Sequence, residues 1–323
     1  MAMRADDLID RRRLRRKLTF WRVATLAIAA IGLVSAAAWM LRENFGAAAD
    51  HIAKIRIEGT ITEDEDLLER LEKVRESNAV KGVILAIDSP GGTTAGGEAI
   101  CDGVRKLAAE KPVVAQVGTL AASAGYMIAS ASDHIVARKS SIVGSIGVLV
   151  QFPDITGLMD KVGVKLEEVK SSPLKAEPSP FNPTTDQERA MLRSMIMDSY
   201  DWFVGLVDER RPLTRSEVAA LADGSIFTGR QALQNKLVDE LGGEGEAIAW
   251  LATKGVDGTL EVVEWKAKGS GSFFFSEALA GVVGRLVGLP DHGAALLKAL
   301  GGERLFLDGL LSVWQPEKVV WGD

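Results

Sequence analysis

Two glycines, a serine and a lysine in this chain have the types and settings that acyl-transfer chemistry requires. Ser123 sits in Gly118-Thr119-Leu120-Ala121-Ala122-Ser123-Ala124-Gly125, whose small residues permit a sharp turn from strand to helix. A serine on such a turn points into a cleft, and the N–H groups beside it are free to face a ligand. Gly91-Gly92 follows another apolar run, and glycine brings unshielded N–H groups close to a ligand. An N–H from Gly92 with one from beside Ser123 makes an oxyanion hole, half of an acyl-transfer site. Read singly, the glycine pair is an ordinary turn and the small-residue run is close helix packing.

A serine nucleophile needs a base. His51 lies near the N-terminal apolar segment, His292 lies in an atypical tail, and His134 follows an Asp at the start of an expected strand, so none has local support. Lys175 is the alternative, held in the stiff Ser171-Ser172-Pro173-Leu174-Lys175-Ala176-Glu177-Pro178 loop. A lysine with an ordinary pKa of ~10.4 is neutral in only about one molecule in 2,500 at pH 7. An apolar site closed around it would favour the neutral amine. The competing reading of Lys175 is a solvated surface lysine, the common fate of that residue.

Elements that could hold these residues follow from the apolar pattern. His51–Glu58 alternates as a strand ending at Gly59, and Leu67, Leu68, Leu71 and Val74 recur at helical spacing. GVILAI at 82–87 is continuously apolar, as in a strand buried on both faces of a parallel sheet. A loop over 88–92, a helix to about Lys111, a strand at 113–117, the turn and helix to Ala131, and a strand at 134–137 continue the alternation. The class is therefore α/β. Four prolines between Ser171 and Pro183 make that stretch a loop, and a helical region runs from Thr185 to about Arg211.

The 323 residues hold 47% hydrophobic and 25% charged side chains, the profile of a folded protein. One cysteine, Cys101, forms no intramolecular disulfide, and three scattered histidines do not suggest a zinc site. No metal or organic cofactor is expected. Net charge is −6, yet residues 1–22 carry eight basic and three acidic side chains, so the remainder is acidic. An acidic body disfavours nucleic acid as a partner.

The basic head precedes 19 uncharged residues, 23–41, flanked by Trp21 and Trp39. At 1.5 Å per residue that length is close to the ~30 Å hydrocarbon core, and the head would stay on the cytoplasmic side. One N-terminal transmembrane helix is expected, with the rest of the chain across the membrane, periplasmic in a Gram-negative cell. Ala47-Ala48-Ala49 leaves open a cleaved signal peptide, although the apolar stretch is long for one. The organisation expected is a head at 1–22, a helix at 23–41, a linker at 42–50, a body at 51–265 and an apolar extension at 266–323. That extension packs on a neighbour or else touches the membrane or a peptide channel.

Taken in order, DSPGG at 88–92, GTLAASAGYMIAS at 118–130, GSIGVL at 144–149, KSSPLKAEPSPF at 170–181 and TGRQALQNKLVDELGG at 228–243 resemble the signal peptide peptidase A family of membrane serine peptidases, in its short single-domain form. The resemblance covers about residues 50–255. It implies a ClpP/crotonase-like fold, a Ser/Lys dyad of Ser123 and Lys175, and an oxyanion hole from the N–H groups of Gly92 and Ala124. Ser145 would orient the lysine, its alternative role being a turn residue. Short forms assemble as octamers in which neighbouring subunits complete each dyad. Remnant signal peptides and other hydrophobic peptides would be the substrates. Ala124 stands where many relatives have Gly, which keeps the N–H and adds a methyl group. Two rival functions are a noncatalytic oligomeric scaffold that binds peptides and a crotonase-like enzyme acting on acyl thioesters.

Overall fold

The computed structural model describes residues 49–266, together with Trp21, Arg22 and Ala27, which are helical, and the strand Leu311–Val313. The expected membrane span at 23–41 therefore lies, Ala27 apart, outside the described residues, as does most of the C-terminal extension. Among the described residues no helix is long and apolar enough to cross a membrane.

Strands and helices alternate along the body. Strand β1 (His51–Ile61) leads to α1 (Glu65–Glu76), β2 (Val80–Thr93), α2 (Thr94–Ala108), β3 (Val113–Ala122) and α3 (Ala124–Ser130). Strands β4 (His134–Ala137) and β5 (Ile142–Gly144), helices α4 (Thr156–Val162), α5 (Asp186–Arg210) and α6 (Arg215–Leu221), and strand β6 (Ile226–Thr228) come next. The order closes with α7 (Gly229–Gln234), β7 (Glu240–Leu241), α8 (Glu244–Thr253), β8 (Val262–Glu264) and β9 (Leu311–Val313). The sheet order is β6-β5-β3-β2-β1-β8, with β4 paired to β3 and β7, and β9 paired to β2.

Apolar residues on both faces explain why GVILAI is strand. Val83, Leu85 and Ile87 join the large core shared with α1, α2, α3 and α5, whereas Ile84 joins Ile52, Val114 and Val136 under Leu251 of α8. Burial on both sides selects parallel pairing, and β2, β3 and β4 run parallel. Helix starts are set by side-chain caps. Thr185 and Glu188 form a reciprocal capping box at α5, and Thr93 accepts the Gly96 N–H at α2.

Two expected boundaries are corrected. Strand β2 runs through the expected 88–92 loop to Thr93, and β3 runs through Gly118 to Ala122. The reason is tertiary. The β2–β3 register shifts between Ile87 and Ser89 and resumes at Ser89↔Ala121. Meanwhile the neighbour of β3 changes from β4, at Val114–Val117, to β5, at Leu120–Ala122. Short turn-like sequences are thus extended because a second set of strands pairs with them.

An ion pair between buried Arg211 and the more exposed Asp239 ties the C-terminal end of α5 to the sheet. Arg211 makes two bonds to Asp239 at 2.9 and 2.7 Å and donates to the Lys236 carbonyl at 2.9 Å, while Asp239 also accepts the Ile135 N–H at 2.8 Å. The Arg211 side chain is 5% exposed. Asp239 would keep the Ile135 N–H and some solvent, so Arg211→Ala should destabilise the fold by about 1.5–3 kcal/mol, the range of hydrogen bonds to a charged group. Denaturant unfolding measures this, and a change under about 1 kcal/mol would count against a structural role for the pair.

Candidate active site

The site is built where the extended ends of β2 and β3 meet β5. Ser123 follows β3 and holds the N-cap position of α3 with φ 56° and ψ −119°, outside the conformations common for residues with a side chain. Such strain persists only where neighbours fix it. Here the Ser123 N–H donates to the Gly144 carbonyl at 2.8 Å, and the Ser123 carbonyl accepts the Met127 N–H at 2.9 Å. The Ser123 hydroxyl makes no cap to α3, and the residue is buried.

Helix α3 is anchored along its length, so the turn before it has little freedom. The Tyr126 hydroxyl donates to the Leu237 carbonyl at 2.9 Å, and burial pushes its pKa well above the usual tyrosine range. Arg210 donates to the carbonyls of Ser130, Ala131 and Ser132 at the far end, at 3.0–3.2 Å. Ala124 is buried against α2, where a methyl on Gly97 would come within 3.0 Å of the Ala124 Cβ.

Gly92 lies in extended backbone two residues before α2. A methyl there would overlap the carbonyl oxygen of Ile61, so only glycine lets β1 and β2 approach this closely. Gly92→Ala must displace backbone and should cost at least about 1–3 kcal/mol. Thermal or denaturant unfolding checks this, and an unchanged midpoint would show that the strand end can move freely.

Ser89 fixes the same turn. Its hydroxyl donates to the Gly59 carbonyl at 2.6 Å and accepts the Gly91 N–H at 3.1 Å. The wall of α3 presses on it, since a methyl on Gly125 would lie 3.0 Å from the Ser89 carbonyl oxygen. The DSPGG motif contained this residue, but its positioning part was not legible without the partner Gly59, thirty residues earlier in sequence.

Ser145 is the second serine at positive φ, 52°, and its N–H donates to the Ser225 carbonyl at 2.8 Å. Since Ala122 pairs with Gly144, Ser123 and Ser145 leave adjacent parallel strands side by side. The structure therefore gathers the segments carrying Gly92, Ser123, Ala124 and Ser145.

Lys175 is different. It is exposed, on an arm spanning about residues 148–183 whose side chains are mostly exposed or half-buried. The closed apolar surrounding expected around it is not supplied by the described residues of its own chain. The loop itself is well held. Its Lys175 N–H donates to the Ser172 carbonyl at 3.2 Å, and Ala176 has φ 62°. Lys170 bridges Glu168, at 2.5 Å, and Glu177, and Glu177 also accepts the Ser179 N–H at 2.6 Å. Lys170 holds the Glu177 carboxyl below the ordinary glutamate range. These flanking charges stiffen the presentation of Lys175, a role the sequence pattern did not reveal.

Other chemistries find little support in the described residues. Among them no group of His, Cys, Asp and Glu could hold a metal ion. Burial pushes the Cys101 thiol up to about 12. Cys101 should therefore resist alkylation at pH 8 in the folded protein and react upon unfolding, and rapid native labelling would contradict its burial.

Comparison with known proteins agrees with this architecture. Residues 105–257 match the model of Peptidase family S49, and residues 48–143 match that of Clp protease. The chain is 36% identical over 209 residues to Protease 4 of Haemophilus influenzae, covering 61% of this chain and 34% of that one. With "Serine protease SPPA, chloroplastic" of Arabidopsis thaliana it shares 31% identity over 217 residues, 62% of this chain and 32% of the other. It thus spans about a third of the length of these two relatives. With "Putative signal peptide peptidase SppA" of Enterococcus faecium it shares 32% identity over 235 residues, which cover 68% of each chain. Motif order, α/β sheet and this length-matched similarity together place the chain in peptidase family S49, the signal peptide peptidase SppA family.

Proposed function

We propose that the protein is a serine endopeptidase that cleaves hydrophobic peptides, remnant signal peptides among them, through a Ser123/Lys175 dyad. The observation that carries this reading is Ser123 held at φ 56° between the Gly92 strand and the Ser145 turn. It is the kind of strained strand-to-helix turn that a nucleophile occupies. The printed name of the Arabidopsis relative, a serine protease, supports the same choice of nucleophile.

In this mechanism the Ser123 hydroxyl attacks the scissile carbonyl while Lys175 accepts its proton. The tetrahedral oxyanion receives the N–H groups of Gly92 and Ala124, each donor being worth about 3 kcal/mol of transition-state stabilisation. Lys175 then returns the proton to the leaving amine, and water hydrolyses the acyl-enzyme by the same route. Ser145 orients the amine. No cofactor takes part.

The exposure of Lys175 makes assembly part of the mechanism. Leu158 and Val162 on its arm are 60% and 64% exposed, and Val164 and Phe181 are exposed as well. A row of apolar side chains along one arm marks an interaction surface. In the proposed assembly, a ring of eight, the arm lies against a neighbouring subunit and delivers Lys175 to that neighbour's Ser123. The 23–41 segment anchors each subunit in the bacterial cytoplasmic membrane, with the peptidase body on the outer side of it.

The test is hydrolysis of hydrophobic peptides together with labelling by a fluorophosphonate probe. The reading expects the assembled protein both to cleave and to label at Ser123. An intact oligomer that does neither favours the peptide-binding scaffold, and one that instead binds acyl-CoA favours the thioester enzyme.

A further inference from the structure

The peptide-binding edge of β2 is not bare. Beyond Ser89 the β2–β3 pairing ends, with Ser89↔Ala121 as its last pair. At Gly91–Thr93 the strand instead pairs antiparallel with β9, in the register Gly91↔Val313, Gly92↔Ser312 and Thr93↔Leu311. Residues opposite one another in an antiparallel pair have Cα atoms about 4.5–5.5 Å apart. Ser312 is therefore placed directly across from Gly92, the glycine whose N–H the proposed mechanism needs. An extended substrate whose carbonyl reaches that N–H must run along the same backbone.

The occupant also has the composition of the substrates proposed. Residues 305–314 read LFLDGLLSVW, with Asp308 as their only charged side chain. A strand added to a free edge gains affinity from main-chain hydrogen bonds, which are indifferent to whether the strand belongs to the same chain. Because it is tethered, such a segment competes without any diffusional encounter.

We infer that the C-terminal segment centred on Leu311–Val313 is a built-in occupant of the substrate edge, competing with incoming peptides for Gly91–Thr93. The inference rests on the peptidase reading for its consequence and on the β2–β9 pairing for its geometry. It assigns part of the apolar extension a role as a strap that peptides must displace.

The experiment uses the full-length chain with Leu311, Ser312 and Val313 all replaced by proline, which cannot donate to a ladder in either register. Hydrogen–deuterium exchange at Gly91–Thr93 reads the seating of the strap independently of activity. Exchange there should accelerate in the triple-proline chain. Kinetics read the competition. If the parent edge is open in about one molecule in ten, the prolines should lower KM about tenfold and leave kcat within about twofold. A synthetic peptide of residues 307–317 should then inhibit the variant competitively. Exchange at 91–93 unchanged by the prolines overturns the occupant whatever the activity. An active enzyme whose KM ignores both the prolines and the peptide overturns the competition but leaves the peptidase reading standing. Absence of hydrolysis and of probe labelling in parent and variant alike overturns the peptidase reading itself.

Discussion

Ser123→Ala should abolish fluorophosphonate labelling and lower peptide hydrolysis by at least about 10⁴-fold, the scale on which serine hydrolases lose activity with their nucleophile. The fold should survive. The Ser123 hydroxyl does not cap α3, so the helix loses no bond that defines its start. Alanine meets the same φ of 56° that serine already tolerates, and the backbone bonds to Gly144 and Met127 do not depend on the side chain. The melting temperature should therefore stay close to that of the parent while activity vanishes. This separation is the informative part, because a variant that lost both would report only on folding. Retained turnover, or labelling that persists at another residue, would remove Ser123 from the mechanism.

Mixing two dead variants should restore activity. Lys175→Ala and Ser123→Ala chains are each expected to be inactive, yet the structure puts Lys175 in solvent on an arm and Ser123 in the buried body. If the arm serves the neighbouring subunit, co-assembly at equal amounts gives sites with an intact serine from one chain and an intact lysine from the next. Random mixing in a closed ring predicts about one quarter of the parent activity, since half the sites have the serine and half of those meet the lysine. Subunits must exchange or be co-expressed for the mixture to form. Co-assembled rings without recovery would place both members of the dyad within one chain. The same experiment asks whether the apolar arm is buried in assembly, because dissociated subunits should neither complement nor cleave.

These two variants fail for different reasons, which makes them useful together. In the proposed mechanism, loss of Ser123 removes the atom that forms the covalent bond, so no probe can rescue it. In the same mechanism, loss of Lys175 leaves the hydroxyl in place and removes the proton acceptor, so slow labelling by a highly reactive probe is compatible with it.

Much of the frame was legible in the residues alone. Continuous apolar runs such as GVILAI specify a strand buried on both faces, because every side chain of such a run needs an apolar neighbour. Alanine, serine and glycine at 122–125 permit a sharp turn from strand to helix, because their side chains are small. These local demands made Ser123 and Gly92 candidates, and the ordered motifs of the resemblance gave them their expected roles. The basic head and the 19-residue apolar run lead by length and charge to the expectation of an anchor, on residues that lie, Trp21, Arg22 and Ala27 apart, outside those described.

What local pattern could not supply was contact between distant segments. DSPGG and GTLAA read as turns, yet both are strand, since Ala121 pairs with Ser89 and Ala122 with Gly144. Ser89 is a silent letter until Gly59 arrives to accept its hydroxyl. The exposure of Lys175, on which the proposed role of a neighbour rests, depends on where a whole arm goes rather than on the lysine's immediate sequence. Nor does the apolar extension announce that Ser312 faces Gly92. Sequence determined which residues can do the chemistry, because side-chain size and backbone freedom are local properties. Tertiary structure decided which of them meet, because pairing and burial are settled only between segments far apart in the chain.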